Sequence, residues 1–190
     1  IPKRDWSSDV CSSDLARLIF HELAHQVAYV KDDTVFNESF AVAVEREGLR
    51  RWLAAHGSDA DRDTQARMQR YRADFIALVQ TRRDKLNALY ARGGAPESLR
   101  AAKREAFVEM RAEYENLKLQ WGGFKGYDRW FEQPPNNALL ASVNLYTQRV
   151  PAFEAMLKAQ GHDLAKFYAA VKALAAMDKP ARNAVLDNYR

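Results

Sequence analysis

The sequence predicts a mainly α-helical fold, and three observations carry that prediction. Apolar residues recur at steps of three and four along most of the 190-residue chain. Glycine and proline gather at a few points between those stretches, where helices have to stop and start. No stretch alternates apolar and polar residues as a half-buried strand does.

The first helix is expected over Leu15 to Val30, where Leu18, Ile19, Phe20, Leu23, Ala24, Val27 and Ala28 leave few polar positions. A helix apolar nearly all round is expected to be buried. Lys31 to Thr34 reads as a polar turn. Asn37 then reads as the N-cap of a second helix, with Glu38 in its first turn and an end near Ala55. His56-Gly57-Ser58-Asp59 closes that helix and starts the next.

Residues 60–119 predict a long helical hairpin. On its first arm Met68, Tyr71, Phe75 and Leu78 keep helical spacing. The polar run Thr81 to Lys85 interrupts the stripe, and Leu86, Leu89 and Tyr90 resume it. On the second arm Phe107, Met110, Tyr114, Leu117 and Trp121 do the same, and Gly93, Gly94 and Pro96 make the turn. The stretch WGGFKGYDRWFEQPPNNALLAS, residues 121–142, reads as a structured loop with short turns. Asn136 and Asn137 are expected to cap a helix through about Gln148. Pro151 suits the first turn of another, and two more helices follow near 163–176 and 179–188.

Composition narrows the function classes. The chain is 47% hydrophobic and 28% charged, as expected of one globular domain with a real core. No apolar run approaches the roughly 20 residues that a membrane span needs. The net charge of +4 is mild, and basic residues are interleaved with acidic ones, so nucleic-acid binding is not expected. Residues 5–15 read as the in-frame translation of a synthetic sequencing adapter; a natural Ser/Asp-rich leader is the alternative. On the adapter reading, residues 1–15 are not native and 16–190 are the C-terminal part of a single domain. Cys11, the one cysteine, then drops out, which argues against disulfide and thiol chemistry. The native charge becomes +5, since Lys3 and Arg4 leave together with Asp5, Asp9 and Asp14.

The chemistry centres on FHELAHQ, residues 20–26. His21 and His25 stand four apart, so a helix puts both rings on one face, close enough to share a metal. Glu22 lies one step round the helix. It is poorly placed to share the metal with its neighbour but able to reach a metal-activated water as a general base. Buried polar groups in an apolar helix need partners, and a zinc ion would satisfy them together. The bland alternative is a polar edge of an amphipathic helix.

A catalytic zinc keeps three protein ligands. The metzincin pattern needs glycine and histidine where this chain has Ala28 and Lys31, which excludes that class. A glutamate on the next helix is the remaining choice, and NESFAVAVE supplies Glu38. Glu45, two turns further on the same face, is either a carboxylate behind a ligand histidine or an ordinary surface glutamate beside Arg46.

Two blocks, RLIFHELAHQVAYVKDDTVFNESFAVAVEREG and NNALLASVNLYTQRVPAFEAML, closely resemble a bacterial family named as "putative aminopeptidases", whose members look like gluzincin-type zinc metallopeptidases. The resemblance covers essentially everything after residue 15. It implies a zinc-metallopeptidase-like helical domain with its N-terminal part missing, His21, His25 and Glu38 as zinc ligands, Glu22 as the base, and a peptide substrate. It also implies a lipoprotein-type leader on the full-length protein, and so a periplasmic or outer-membrane location. Tyr146 is a candidate to stabilise the oxyanion, and Asn136 and Asn137 are candidates to bind substrate backbone. Tyr146 reads equally as a core aromatic, and the asparagines as helix caps. The expected function is zinc-dependent hydrolysis of peptide bonds, as an aminopeptidase. The alternative is a helical binding protein whose zinc site is structural or degenerate.

Overall fold

A computed structural model describes residues 12–133, 136–145 and 148–189. Among these residues the elements are helices and turns with no strand, so the fold is mainly α. In chain order they are α1 (Ser12–Val27), α2 (Thr34–His56), α3 (Asp59–Arg92), α4 (Pro96–Gln120), α5 (Asp128–Glu132), α6 (Asn137–Leu145), α7 (Val150–Ala159), α8 (Leu164–Ala175) and α9 (Lys179–Asp187). They fall into two compact units, one formed by residues 1–62 with 145–190 and one by residues 63–144.

In the first unit α2 is the central helix. Phe36, Phe40, Ala41, Ala43, Val44, Leu49 and Leu53 are all buried along it. Phe40 and Phe36 meet Phe153 of α7, and Phe40 also meets Phe167 of α8, with ring centroids 5.3–5.8 Å apart. Gly48 is where α2 lets Phe20 of α1 approach: a Cβ there would stand 2.5 Å from the Phe20 ring.

Burial is therefore distributed differently from the sequence expectation. The helix buried nearly all round is α2, not α1. The small residues Ala24 on α1 and Ala28 just after it are buried, whereas Leu15, Leu18, Ile19 and Leu23 of α1 are 46–56% exposed. The reason is steric: small side chains let the backbones of α1 and α2 come close, and the bulky aliphatics occupy the other face.

The start of α2 also differs. Asp33 is its N-cap, accepting a hydrogen bond from the Phe36 N–H, and the helix begins at Thr34. Asn37 lies inside it, and Glu38 is in its second turn. Asp33 is buried and held by Arg182 of α9 at 2.6 Å, with Lys179 at 3.4 Å. Burial pushes the Asp33 carboxyl up. The Arg182 and Phe36 hydrogen bonds and the charges of Lys179 and Arg182 outweigh it, leaving the group below the usual carboxylate range.

Glu47 is a second buried carboxylate, on α2 itself. Arg50 donates two hydrogen bonds to it at 2.7 Å, and Arg51 donates one at 2.8 Å while also bonding the His162 carbonyl. The Arg50 bonds, against the upward push of burial and with help from Arg51, hold the carboxyl down at about 2. A depressed carboxylate contributes stability above its unfolded pKa and loses it as pH falls. Glu47 is thus expected to stabilise the fold fully above pH 4.5 and progressively less toward pH 2. Urea unfolding across that window should show a steeper loss for the wild type than for Glu47→Gln, and parallel curves would refute the assignment.

The second unit contains the hairpin. Pro96 opens α4, and Gly93 and Gly94 take positive φ in the turn, much as the sequence predicted. Phe75, Leu78, Val79, Leu86, Phe107, Met110 and Tyr114 form its core, joined by Trp121 and Phe131. In the polar run from Thr81 the buried position between Val79 and Leu86 is taken by Arg82, whose guanidinium pairs with Glu109 and Glu113 of α4. Residues 121–133 form the expected aromatic loop around the one-turn helix α5, with Tyr127 stacked on Phe75 at 4.0 Å.

Candidate metal centre

The site is built on two neighbouring helices of the first unit. Arg17, His21, His25 and Tyr29 follow one another four residues apart from α1 into the connection after it. Glu38 and Glu45 stand seven apart on α2, two turns along one face. The chain reverses between the helices, so the two rows face each other in opposite order. Arg17 and His21 meet Glu45, and His21 and His25 meet Glu38.

The distances bear this out. His21 Nε2 lies 3.4 Å from one Glu38 carboxylate oxygen, and His25 Nε2 lies 3.7 Å from the other. One donor atom from each of His21, His25 and Glu38 falls within 4.8 Å of the others, an arrangement that could hold a metal ion. The imidazole rings stand edge to face with centroids 5.1 Å apart. The side chains of His21, His25 and Glu38 are 17%, 21% and 18% exposed, so the cluster is half-buried.

Behind His21, Nδ1 lies 3.0 Å from a Glu45 oxygen. A carboxylate can only accept, so Nδ1 is the donor in this contact, and Nε2 is the ring nitrogen that faces Glu38. The Arg17 guanidinium lies 3.6 Å from the other Glu45 oxygen. Glu45 itself is 7% exposed. It is not the surface partner of Arg46, which pairs with Glu154 at 2.8 Å. His25 lacks an equivalent support: its Nδ1 is buried without a hydrogen-bond partner among the described residues.

Sequence reasoning foresaw His21, His25 and Glu38 as one cluster, and the fold brings them together. Glu22 follows His21 on α1 and is exposed, contrary to the expectation that the polar residues of this helix are buried. Arg17 was missed, although its position one helical turn before His21 could have marked it. Tyr146 lies outside the described residues. Asn136 serves as a cap in the second unit, its side-chain oxygen accepting from the Leu139 N–H at 2.8 Å, and α6 is described over Asn137–Leu145, up to residues outside the described ones. No helix among the described residues is long and apolar enough to cross a membrane.

Comparisons with curated proteins and with solved structures give no match. The sequence does match the model of a protein family described as "Putative aminopeptidase", over residues 7–186. That match takes in both helices of the cluster and nearly all of the chain, and this protein therefore belongs to that family.

Proposed function

We propose that this chain hydrolyses peptide bonds as a zinc-dependent aminopeptidase, with His21, His25 and Glu38 as zinc ligands and Glu22 as general base. The observation that carries the reading is the convergence of two imidazole nitrogens and a carboxylate from adjacent helices. Two donors about 2.0–2.1 Å from one zinc at the tetrahedral angle stand about 3.4 Å apart. The histidine nitrogens stand 3.4 and 3.7 Å from the two Glu38 oxygens, and one donor atom from each residue lies within 4.8 Å of the others, which is near that requirement. Two neutral nitrogens and one carboxylate are also the donor set of a catalytic zinc that keeps an open position, whereas structural zinc sites are closed by four protein ligands.

Zinc bound there supplies a Lewis acid and brings the pKa of a coordinated water down to about 7. The protein's own residues do the rest. Glu45, bonded to the Nδ1 side of His21, orients the ring so that Nε2 is the nitrogen turned toward Glu38. Glu22, next to His21 in sequence and exposed, is the carboxylate proposed to take a proton from the attacking water and return it to the leaving amine. The partial exposure of the cluster gives a peptide carbonyl access. Export of the full-length protein to the periplasmic side belongs to the same reading, through the family resemblance alone.

The test is metal content and turnover together. The purified chain, dialysed and then supplied with zinc, is expected to retain about one equivalent per chain by atomic absorption, the stoichiometry of a single three-ligand site. It should cleave aminoacyl-anilide substrates only when loaded. Zinc retained with no turnover of any aminoacyl substrate favours the non-catalytic binding protein instead.

A further inference from the structure

We propose that Asn37, the residue before Glu38, is a positioning residue that aims the Glu38 carboxylate at the two histidines. The inference deepens the zinc-site reading and rests on it.

Residues 28–33 carry the chain from the end of α1 to the start of α2. This short connection fixes the register in which the histidine row meets the glutamate row. It includes Asp32 at φ 62, a left-handed conformation that non-glycine residues avoid unless their surroundings impose it. Local backbone bonding there is sparse, with the Asp33 N–H reaching the Val30 carbonyl at 3.3 Å.

Asn37 supplies the missing restraint. Its Oδ1 accepts from the Val30 N–H at 2.8 Å, and its Nδ2 donates to the Val30 carbonyl at 2.7 Å. A carboxamide alone among short side chains offers a donor and an acceptor on one carbon, so it pairs with both polar groups of a single residue. The backbone partners also fix which end of the amide is oxygen. Asn37 is 2% exposed, so the pair of bonds is shielded from water and holds one geometry.

The clamp ties the connection to the helical turn that carries Glu38. Without it, Val30 loses both side-chain bonds, and the connection is freer to hinge. A small rotation of α2 about its axis would then carry Glu38 away from His21 Nε2 and His25 Nε2, while the Phe36, Phe40 and Phe153 packing still holds the helix in the core. Metal sites need ligand placement within about 0.5 Å, so the metal should sense this loss before the fold does.

The experiment is a double-mutant cycle read as zinc affinity by competition with a chromophoric chelator. Asn37→Asp keeps the acceptor for the Val30 N–H but turns an oxygen toward its carbonyl. Asn37→Ala removes both bonds without adding volume at this buried position. Each variant is made in the wild-type and the Glu38→Gln backgrounds, and far-UV circular dichroism checks that it folds. Where Glu38 is present, either change is expected to weaken zinc about tenfold or more, the low end for losing an outer support of a metal ligand. In the Glu38→Gln background the same changes should matter by less than about twofold, because independent effects add and shared ones do not.

Equal losses in both backgrounds would make Asn37 a general structural residue and overturn the inference. So would unchanged affinity, or failure of both variants to fold without metal. If the wild-type chain takes up no zinc, the zinc-site reading itself fails and this inference with it. That result is distinct from a wild-type site indifferent to Asn37.

Discussion

Glu22→Gln is expected to keep its zinc and lose its turnover. The substitution preserves the size and hydrogen-bonding reach of the side chain but removes its capacity to accept a proton at neutral pH. Glu22 lies outside the triad of His21, His25 and Glu38, so metal content by atomic absorption should match the wild type. Positioned general acid–base groups typically contribute about 10²–10⁴-fold, so kcat on an aminoacyl-anilide should fall by that much with KM little changed. His21→Ala and Glu38→Ala should behave differently, losing metal and activity together. Undiminished hydrolysis by Glu22→Gln would end the proposed mechanism, whatever the metal content.

Arg182→Met is expected to destabilise the first unit by about 3 kcal/mol, the lower end for breaking a buried ion pair. Arg182 and Asp33 are 2% and 4% exposed, and their bond of 2.6 Å connects the last helix to the N-cap of α2. Arg182 also donates to the Met177 carbonyl at 2.8 Å and lies over the Phe36 ring. Removing it leaves the Asp33 carboxylate buried but still paired with Lys179 at 3.4 Å and bonded by the Phe36 N–H, which is why the lower end is taken. Adding Asp33→Asn should recover most of the loss, because asparagine still caps the helix and no longer needs a cation.

The pH dependence should follow the same pair. Asp33 is held below its ordinary pKa, so the wild type gains stability from it at neutral pH and loses that gain as pH falls below 3.8. In Arg182→Met much of this acid-side dependence should be gone. Urea unfolding at several pH values checks both statements. An Arg182→Met chain as stable as the wild type at neutral pH would show that the pair does not hold α9 to α2.

The sequence by itself determined the class of the fold and the membership of the cluster. Helical periodicity, the Gly93-Gly94-Pro96 turn and the pairing of apolar stripes on 60–119 are local signals, and α3 and α4 follow them closely. The spacing of His21 and His25 is likewise local, since one helix suffices to place both rings on one face. Glu38 was within reach because a short connection forces the next helix to fold back. Caps were the weaker part. Asn37 has the composition of an N-cap, but Asp33 sits four residues earlier, and Arg182, far away in sequence, stabilises it there.

Only the tertiary structure decided which helix is buried and which groups stand behind the ligands. α1 and α2 are similarly apolar in sequence, yet α2 is enclosed by α1, α7 and α8, whereas α1 turns Leu15, Leu18, Ile19 and Leu23 outward. Burial depends on what packs against a helix from elsewhere in the chain. Glu45 illustrates the same point. Beside Arg46 it reads equally as a surface charge, and the facing of two antiparallel helices instead gives it to His21 and Arg17. Side-chain identity sets what a residue can bond, but the register between helices sets what it does bond. That register is a long-range property.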